Sequence, residues 1–120
     1  MLIGRHRQHY EGLRQMVGQL QEIAARRLGV AEFQAAFLQV QQLGRDLDDE
    51  DKDLGAKIQS YQTEINKQLR LLEIDLMFLK AARQAATSEQ RWKMMGDRLN
   101  LFIFYCDTLL SKDFQGGDRT

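Results

Sequence analysis

The sequence contains no proline and only one cysteine among its 120 residues, and its formal net charge is zero. Folds built from strands and long loops usually place proline in their turns, so its absence disfavours them. A single cysteine, Cys106, excludes an internal disulfide and a zinc site built from cysteines. Because basic and acidic residues are equal in number, no overall field favours nucleic acid or an anionic membrane. No apolar run approaches the roughly 20 residues of a membrane span.

The sequence also lacks the motifs of common catalytic and cofactor sites. It has no glycine-rich phosphate loop, no CxxC, no HExxH and no nucleophile motif. His6 and His9 could form a metal pair, but no third ligand stands nearby, and we interpret their basic segment as a solvated, fraying terminus. The first residues lack the apolar core of a signal peptide. We therefore expect a cytoplasmic, non-enzymatic protein with no cofactor, no metal and no nucleic-acid or membrane partner.

What the chain does contain is helix-forming sequence. Leu, Gln, Arg, Ala, Glu and Lys dominate its composition. The apolar spacing predicts four helices, at about residues 5–28, 31–45, 54–83 and 88–112. The short links at 28–31 and 83–88 predict antiparallel neighbours. The predicted fold class is all-α: one antiparallel four-helix bundle over residues 1–114, with one long central helix, followed by a disordered tail at 115–120.

Local signals indicate where these helices should begin and end. Gly29 is expected to end the first helix in a left-handed turn, and the second helix is expected to end near Gly44. Thr87 and Gln90 have the spacing of a capping box at the start of the fourth helix. Six of the eight residues at 46–53 are acidic and repel one another, which predicts a solvated loop. A calcium loop would need a central glycine and a different register.

Each of the four predicted helices has an apolar stripe with the spacing of a packed helix. The stripe of the third helix consists of Tyr61, Ile65, Leu69, Leu72, Leu76 and Leu79, and that of the fourth consists of Trp92, Met95, Leu99, Phe102, Cys106 and Leu109. Within its stripe, Cys106 is expected to be a buried, inert thiol. Gln62 falls on the opposite, polar side and is expected to be exposed. Gly96 interrupts the fourth helix, which suggests the close approach of a neighbour.

A second apolar strip appears only in the second half of the third helix. It comprises Leu71, Ile74 and Phe78, with Met94, Leu101 and Tyr105 as its continuation on the fourth helix. Every helix of a bundle touches two neighbours, so one interpretation is that this strip is simply core. The other is an exposed patch on the order of several hundred Å², the size that usually marks a partner site. The short second helix favours the exposed patch, because it looks too short to cover everything.

Asp75 lies between the two apolar stripes of the third helix. A carboxylate in such a place needs a partner, and Arg98 or another base on the antiparallel fourth helix is the expected one. The same line of the helix contains Glu64 and Gln68, so a polar seam beside the core is the alternative to a special site. We include Asp75 with the second strip as a candidate partner-binding residue.

The stretch YQTEINKQLRLLEIDLMFLKAARQAAT, followed by Arg91, Arg98, Leu99 and the run Phe104-Tyr105-Cys106, resembles the cyanobacterial PatD family of heterocyst-frequency control proteins. The resemblance covers about residues 61–110, and KQLRLLEIDLMFL is its most specific part. It implies a small cytoplasmic regulator that limits differentiation, associates with the division protein FtsZ and modulates FtsZ assembly, without enzymatic activity. The alternative is a self-associating structural bundle or adaptor, with no role in division, whose apolar surface forms a homodimer.

Overall fold

Four α-helices make up almost all of the described chain. The computed structural model describes residues 4–50 and 56–111, with side chains at 6–46 and 58–111. The helices are α1 (Gly4–Arg26), α2 (Val30–Glu50), α3 (Ala56–Ala81) and α4 (Ala85–Leu110). The predicted all-α fold class is confirmed. The predicted tail at 115–120 lies outside the described residues.

The helices pack compactly as a ring in chain order, and α4 closes the ring against α1. On facing sides of α1 and α4, Arg14 bonds Asp107 and Gln21 bonds Asn100, so these two helices run antiparallel. α4 packs broadly against both α1 and α3, whereas α2 and α3 touch each other least. The arrangement is that of an antiparallel four-helix bundle. The expectation of one long central helix is wrong, because α3 and α4 each contain 26 residues.

The predicted stripes of α3 and α4 lie in the interior of the bundle, together with buried apolar residues of α1 and α2. All six stripe residues of α4 are buried, and so are five of the six on α3, where Tyr61 is half-buried. A fully buried Leu or Phe side chain contributes about 1.5–3 kcal/mol, so burial of these stripes stabilises the fold substantially. Burial raises the pKa of Cys106 to about 12. The predicted buried, inert thiol is therefore confirmed.

The turn after α1 contains two residues with a positive φ, namely the predicted Gly29, at 122°, and Arg27, which follows the helix directly. Arg27 has a φ of 52°. The backbone N–H of Leu28 donates to the Ile23 carbonyl at 3.0 Å, and that of Arg27 donates to the Ala24 carbonyl at 3.3 Å. The Arg27 guanidinium also donates to the Ala24 carbonyl. This additional bond helps to offset the roughly 1–2 kcal/mol that a non-glycine residue loses in this conformation.

α2 continues through Gly44 as far as Glu50, so residues 46–50 are helical and the predicted loop there is wrong. Gly44 is buried, and a Cβ at this position would lie 2.8 Å from Cδ1 of Leu69. The glycine therefore permits a close approach of α3 and does not end the helix. Asp46 accepts a hydrogen bond from Gln42 one turn earlier, at 3.2 Å, which supports the continuation. Residues 51–53 lie outside the described part of the chain.

Three other local predictions are wrong. The N-cap of α4 is Gln84, which makes no side-chain capping bond, and Thr87 lies within the helix. Gly96 has no neighbouring atom within 4 Å of where its Cβ would be, so it permits no close approach. His6 is buried, which does not fit a solvated terminus.

Candidate protein-binding face on α3 and α4

Asp75 lies in the seam between α3 and α4, and only 1% of its surface is exposed. Its carboxylate accepts a hydrogen bond from Nη1 of Arg91 at 2.9 Å and another from Nε of Arg98. The predicted pairing with a base of the fourth helix is confirmed for Arg98, and Arg91 is a second such base that the prediction did not name. Because each carboxylate oxygen has a cationic donor, the cost of removing this charge from water is offset.

Helical spacing explains how two arginines reach one carboxylate. Arg91 and Arg98 are seven residues apart, which is close to two turns, so they leave α4 on the same side. Both side chains remain partly exposed, whereas the Asp75 side chain between them is almost fully covered. The seven-residue spacing of Arg91 and Arg98 in the sequence was the signal that could have identified both as partners of Asp75.

The predicted polar seam continues along α3 beside Asp75. Gln68, two turns before Asp75, is buried, and its Oε1 has no hydrogen-bond partner among the described residues. At the far end, burial raises the pKa of the Tyr105 hydroxyl, and the adjacent Glu64 carboxylate raises it further. The seam therefore contains several polar side chains along its length, but those of Gln68 and Asp75 are buried and not exposed to solvent.

The second apolar strip lies on the outer side of this seam. The exposed fractions are 46% for Ile74, 55% for Phe78, 36% for Met94 and 39% for Leu101. The interpretation of these four residues as core is therefore wrong. Leu71 and Tyr105 are half-buried at the inner edge of the same surface. All seven predicted candidate residues therefore lie on one side of the α3–α4 pair.

Ring contacts join the apolar side chains to the ionic cluster. The Arg91 guanidinium carbon lies 4.7 Å from the centre of the Phe78 ring, within the range of a cation–π interaction. The Tyr105 ring packs edge-on against Tyr61 and Phe104, with ring centres 6.0 and 5.8 Å apart. Phe104 is 58% exposed and was not predicted as part of the site. The sequence signal that could have added Phe104 to the site was its position three residues after Leu101.

We call this surface the α3–α4 face. It consists of Leu71, Ile74, Asp75 and Phe78 on α3, and Arg91, Met94, Arg98, Leu101, Phe104 and Tyr105 on α4. Arg, Met and aromatic residues are the types enriched where proteins bind one another. The face therefore has the composition of a protein interface.

The described side chains contain no group of three His, Cys, Asp or Glu residues that could hold a metal ion. Within residues 4–50 and 56–111, no helix is both long and apolar enough to cross a membrane.

Comparisons with protein-family models, with curated proteins and with solved structures found no match to this chain. The resemblance of residues 61–110 to the PatD family therefore stays a prediction.

Proposed function

We propose that this protein is a non-enzymatic regulator that acts by binding another protein through the α3–α4 face. The observation that supports this most directly is the exposure of Ile74, Phe78, Met94 and Leu101 around a buried, ion-paired Asp75. Isolated exposed apolar residues are normal, but a contiguous group of them usually marks a partner site. Burial of these side chains by a partner would provide the affinity.

The ionic cluster would provide the specificity. Arg91 and Arg98 together have two positive charges, of which Asp75 neutralises one. Each guanidinium has five N–H donors, and each is seen donating only one to Asp75, so donors remain for a partner. The pairing with Asp75 also holds both arginines in place before binding, which lowers the entropic cost of association. The partner surface that fits is apolar with a carboxylate near its centre.

The resemblance to the PatD family implies FtsZ as that partner. In this proposal the protein is a cytoplasmic regulator that limits heterocyst differentiation in cyanobacteria by modulating FtsZ assembly. The resemblance over residues 61–110 supports it, because those residues include most of α3, all of α4 and every residue of the α3–α4 face.

Homodimerisation through the same face is the alternative function. It would bury the same apolar side chains against a second copy of the chain. However, a second copy would add another surplus positive charge to the contact, whereas a partner carboxylate would neutralise the charge already there. The charge of the cluster therefore favours a different protein as the partner.

Co-sedimentation with polymerised FtsZ tests the proposal. The informative variant is Ile74→Ser combined with Phe78→Ser, since both side chains are largely exposed and their loss should leave the fold intact. Leu28→Ser is the matched control, because Leu28 is 47% exposed and lies after α1, outside the face. We expect the parent and Leu28→Ser to sediment with FtsZ polymers, and the double variant to stay in the supernatant with an unchanged circular dichroism spectrum. Equal sedimentation of all three proteins would refute a role for the face.

Light scattering at several concentrations distinguishes the alternative. A parent protein that is a tight dimer, does not sediment with FtsZ and becomes monomeric in the Ile74→Ser, Phe78→Ser variant would establish self-association as the role of the face. A monomer that sediments with FtsZ would support the regulator.

A further inference from the structure

A second exposed apolar surface lies on the other side of α3, in the groove between α2 and α3. These two helices make the slightest contact of the four neighbouring pairs. Two adjoining cavities follow the groove between them. At one end, Leu38 and Met77 form the walls and are 57% and 64% exposed, while Phe37 and Leu76 form a buried floor. This groove is distinct from the α3–α4 face, because it uses α2 and the opposite side of α3.

The two walls of the groove present the same order of chemistry. Going from the apolar end to the other end, the wall residues are Leu38, Gln41 and Arg45 on α2, and Met77, Glu73 and Arg70 on α3. Midway, Nε2 of Gln41 donates to Oε2 of Glu73 at 3.1 Å and bridges the groove. On each helix the arginine is seven residues from the apolar residue, which is two turns or about 10 Å. At these three levels the walls are in register: apolar, then polar, then basic. Lys80 lies beyond Met77 at the apolar end of the α3 wall.

The basic end of the groove has a surplus of positive charge. It is also lined by Gly44 and Leu69, and the Leu69 side chain packs against Gly44 where a Cβ would otherwise lie. Of the charged side chains that line the cavity at this end, Arg45 and Arg70 are positive and Glu73 is negative, which leaves one positive charge in surplus. Lys80 lines the cavity at the apolar end.

We infer that the α2–α3 groove binds an amphipathic helix of a partner protein. One apolar side chain of that helix inserts between Leu38 and Met77, and carboxylates two turns away lie between Arg45 and Arg70. Helices commonly bind in this way, with an apolar stripe in a groove and charged residues that select the register. The equal spacing of the apolar and basic positions on both walls specifies this ligand, because a carboxylate at any other distance would miss the arginine pair.

The probe for this site is a stapled helical peptide of about 18 residues, long enough for four to five turns. It has leucines on one turn and two glutamates two turns later on the same face. A matched peptide has lysines in place of the glutamates. Fluorescence anisotropy with labelled peptides measures binding to the parent protein, to Arg45→Gln with Arg70→Gln, and to Leu38→Ser with Met77→Ser.

We expect the glutamate peptide to bind the parent protein at least about tenfold more tightly than the lysine peptide, because attraction to the arginines becomes repulsion. The Arg45→Gln, Arg70→Gln variant should remove most of that preference. The Leu38→Ser, Met77→Ser variant should weaken binding of both peptides, and both changed residues are exposed, so the fold should persist. The Ile74→Ser, Phe78→Ser variant should bind the peptide like the parent, which separates this site from the α3–α4 face.

Three results would overturn the inference. The first is that neither peptide binds the parent protein, and the second is that both bind it equally well. The third is a change of oligomeric state in the Leu38→Ser, Met77→Ser variant without peptide binding to the parent, which would mean that a second copy of the chain covers the groove. None of these results depends on whether FtsZ binds the α3–α4 face.

Discussion

α4 forms two very different seams with its neighbours. Its seam with α1 is closed by exposed polar pairs, namely Arg14–Asp107, Gln21–Asn100 and Arg27–Glu89. Its seam with α3 covers the charge of Asp75 and leaves Phe78, Met94 and Leu101 on the surface. The first seam is an ordinary wet surface, whereas the second has apolar area that water does not solvate well. This difference locates the proposed function on the α3 side of the bundle.

The two seams should also differ in how much each ionic contact contributes to stability. Nε of Arg14 lies 2.7 Å from Oδ1 of Asp107, but about half of each side chain is in water. An exposed pair of this kind typically contributes only about 0.2–1 kcal/mol. Asp75 is almost fully covered, and loss of one member of a buried ionic cluster leaves the others without compensation.

Replacing the two carboxylates in parallel tests this contrast and should give the largest effect. We expect Asp75→Ala to lower the free energy of unfolding by about 2–3 kcal/mol, because two guanidinium groups lose their shared acceptor. The cost should stay below the largest values for buried pairs, since Arg91 and Arg98 are partly exposed and can turn towards water. Asp107→Ala should cost less than about 1 kcal/mol. Urea unfolding followed by circular dichroism measures both.

Asp75→Asn is the control that separates loss of the charge from loss of the side chain's volume. The amide keeps the size of the side chain and one acceptor oxygen but loses the charge, so its effect should be smaller than that of Asp75→Ala. If Asp75→Ala and Asp107→Ala were equally mild, the distinction between the two seams would be mistaken.

Much of this architecture could be predicted from the sequence, because spacing determines which side of a helix a residue occupies. Trp92, Leu99 and Cys106 recur every seven residues and are all buried in α4. The same reasoning placed Asp75 opposite Arg98, since antiparallel neighbours joined by a short link bring known positions together. Exposure of the second strip could not be settled in this way. It depends on which flank of α3 each neighbouring helix covers, and spacing within one helix does not contain that information.

Sequence patterns could not predict the environment of side chains whose neighbours come from distant parts of the chain. Gln62 was expected on the polar side of its helix, yet it is buried, and its Oε1 accepts a hydrogen bond from the hydroxyl of Tyr10. Gly44 looked like the end of a helix, but its role is to admit Leu69. In both cases the deciding neighbour is on another helix, so no local rule would have found it.

Substitution of Gly96 tests whether the α1–α4 seam accepts an added methyl group. It should have an intermediate effect on stability. Gly96 lines the groove between α1 and α4, and no atom lies within 4 Å of the Cβ that alanine would add. We expect Gly96→Ala to raise the free energy of unfolding by up to about 1 kcal/mol, because alanine restricts the unfolded chain and favours the helix. Thermal and urea unfolding of the parent and the variant provide the measurement.

Gly44→Ala is the matched comparison on the α2–α3 groove. Its added Cβ would meet the Leu69 methyl group at 2.8 Å, so the helix-forming gain should be cancelled or reversed by the movement of a buried side chain. A stabilisation at Gly44 as large as that at Gly96 would show that the close approach of α2 and α3 is not tight.

The smallest expected effect concerns the response of the α1–α4 seam to pH. Arg27 donates hydrogen bonds to the Glu89 carboxylate and lowers the pKa of Glu89 below its ordinary value of 4.5. Because the pKa of the folded state is the lower one, the contribution of this pair is fully present above the unfolded-state pKa and is lost as the pH falls through the folded-state pKa. Glu89→Gln removes the charge at every pH. Its melting temperature should therefore be slightly below that of the parent at pH 7, and the difference should shrink as the solution is acidified below the folded-state pKa of Glu89.

High salt at pH 7 should reduce the same difference in melting temperature, since exposed charges are screened within about 3 Å at 1 M. A difference that persisted unchanged in acid and in salt would mean that Glu89 acts by packing, and the α1–α4 seam would then be less like ordinary wet surface than its exposed pairs indicate.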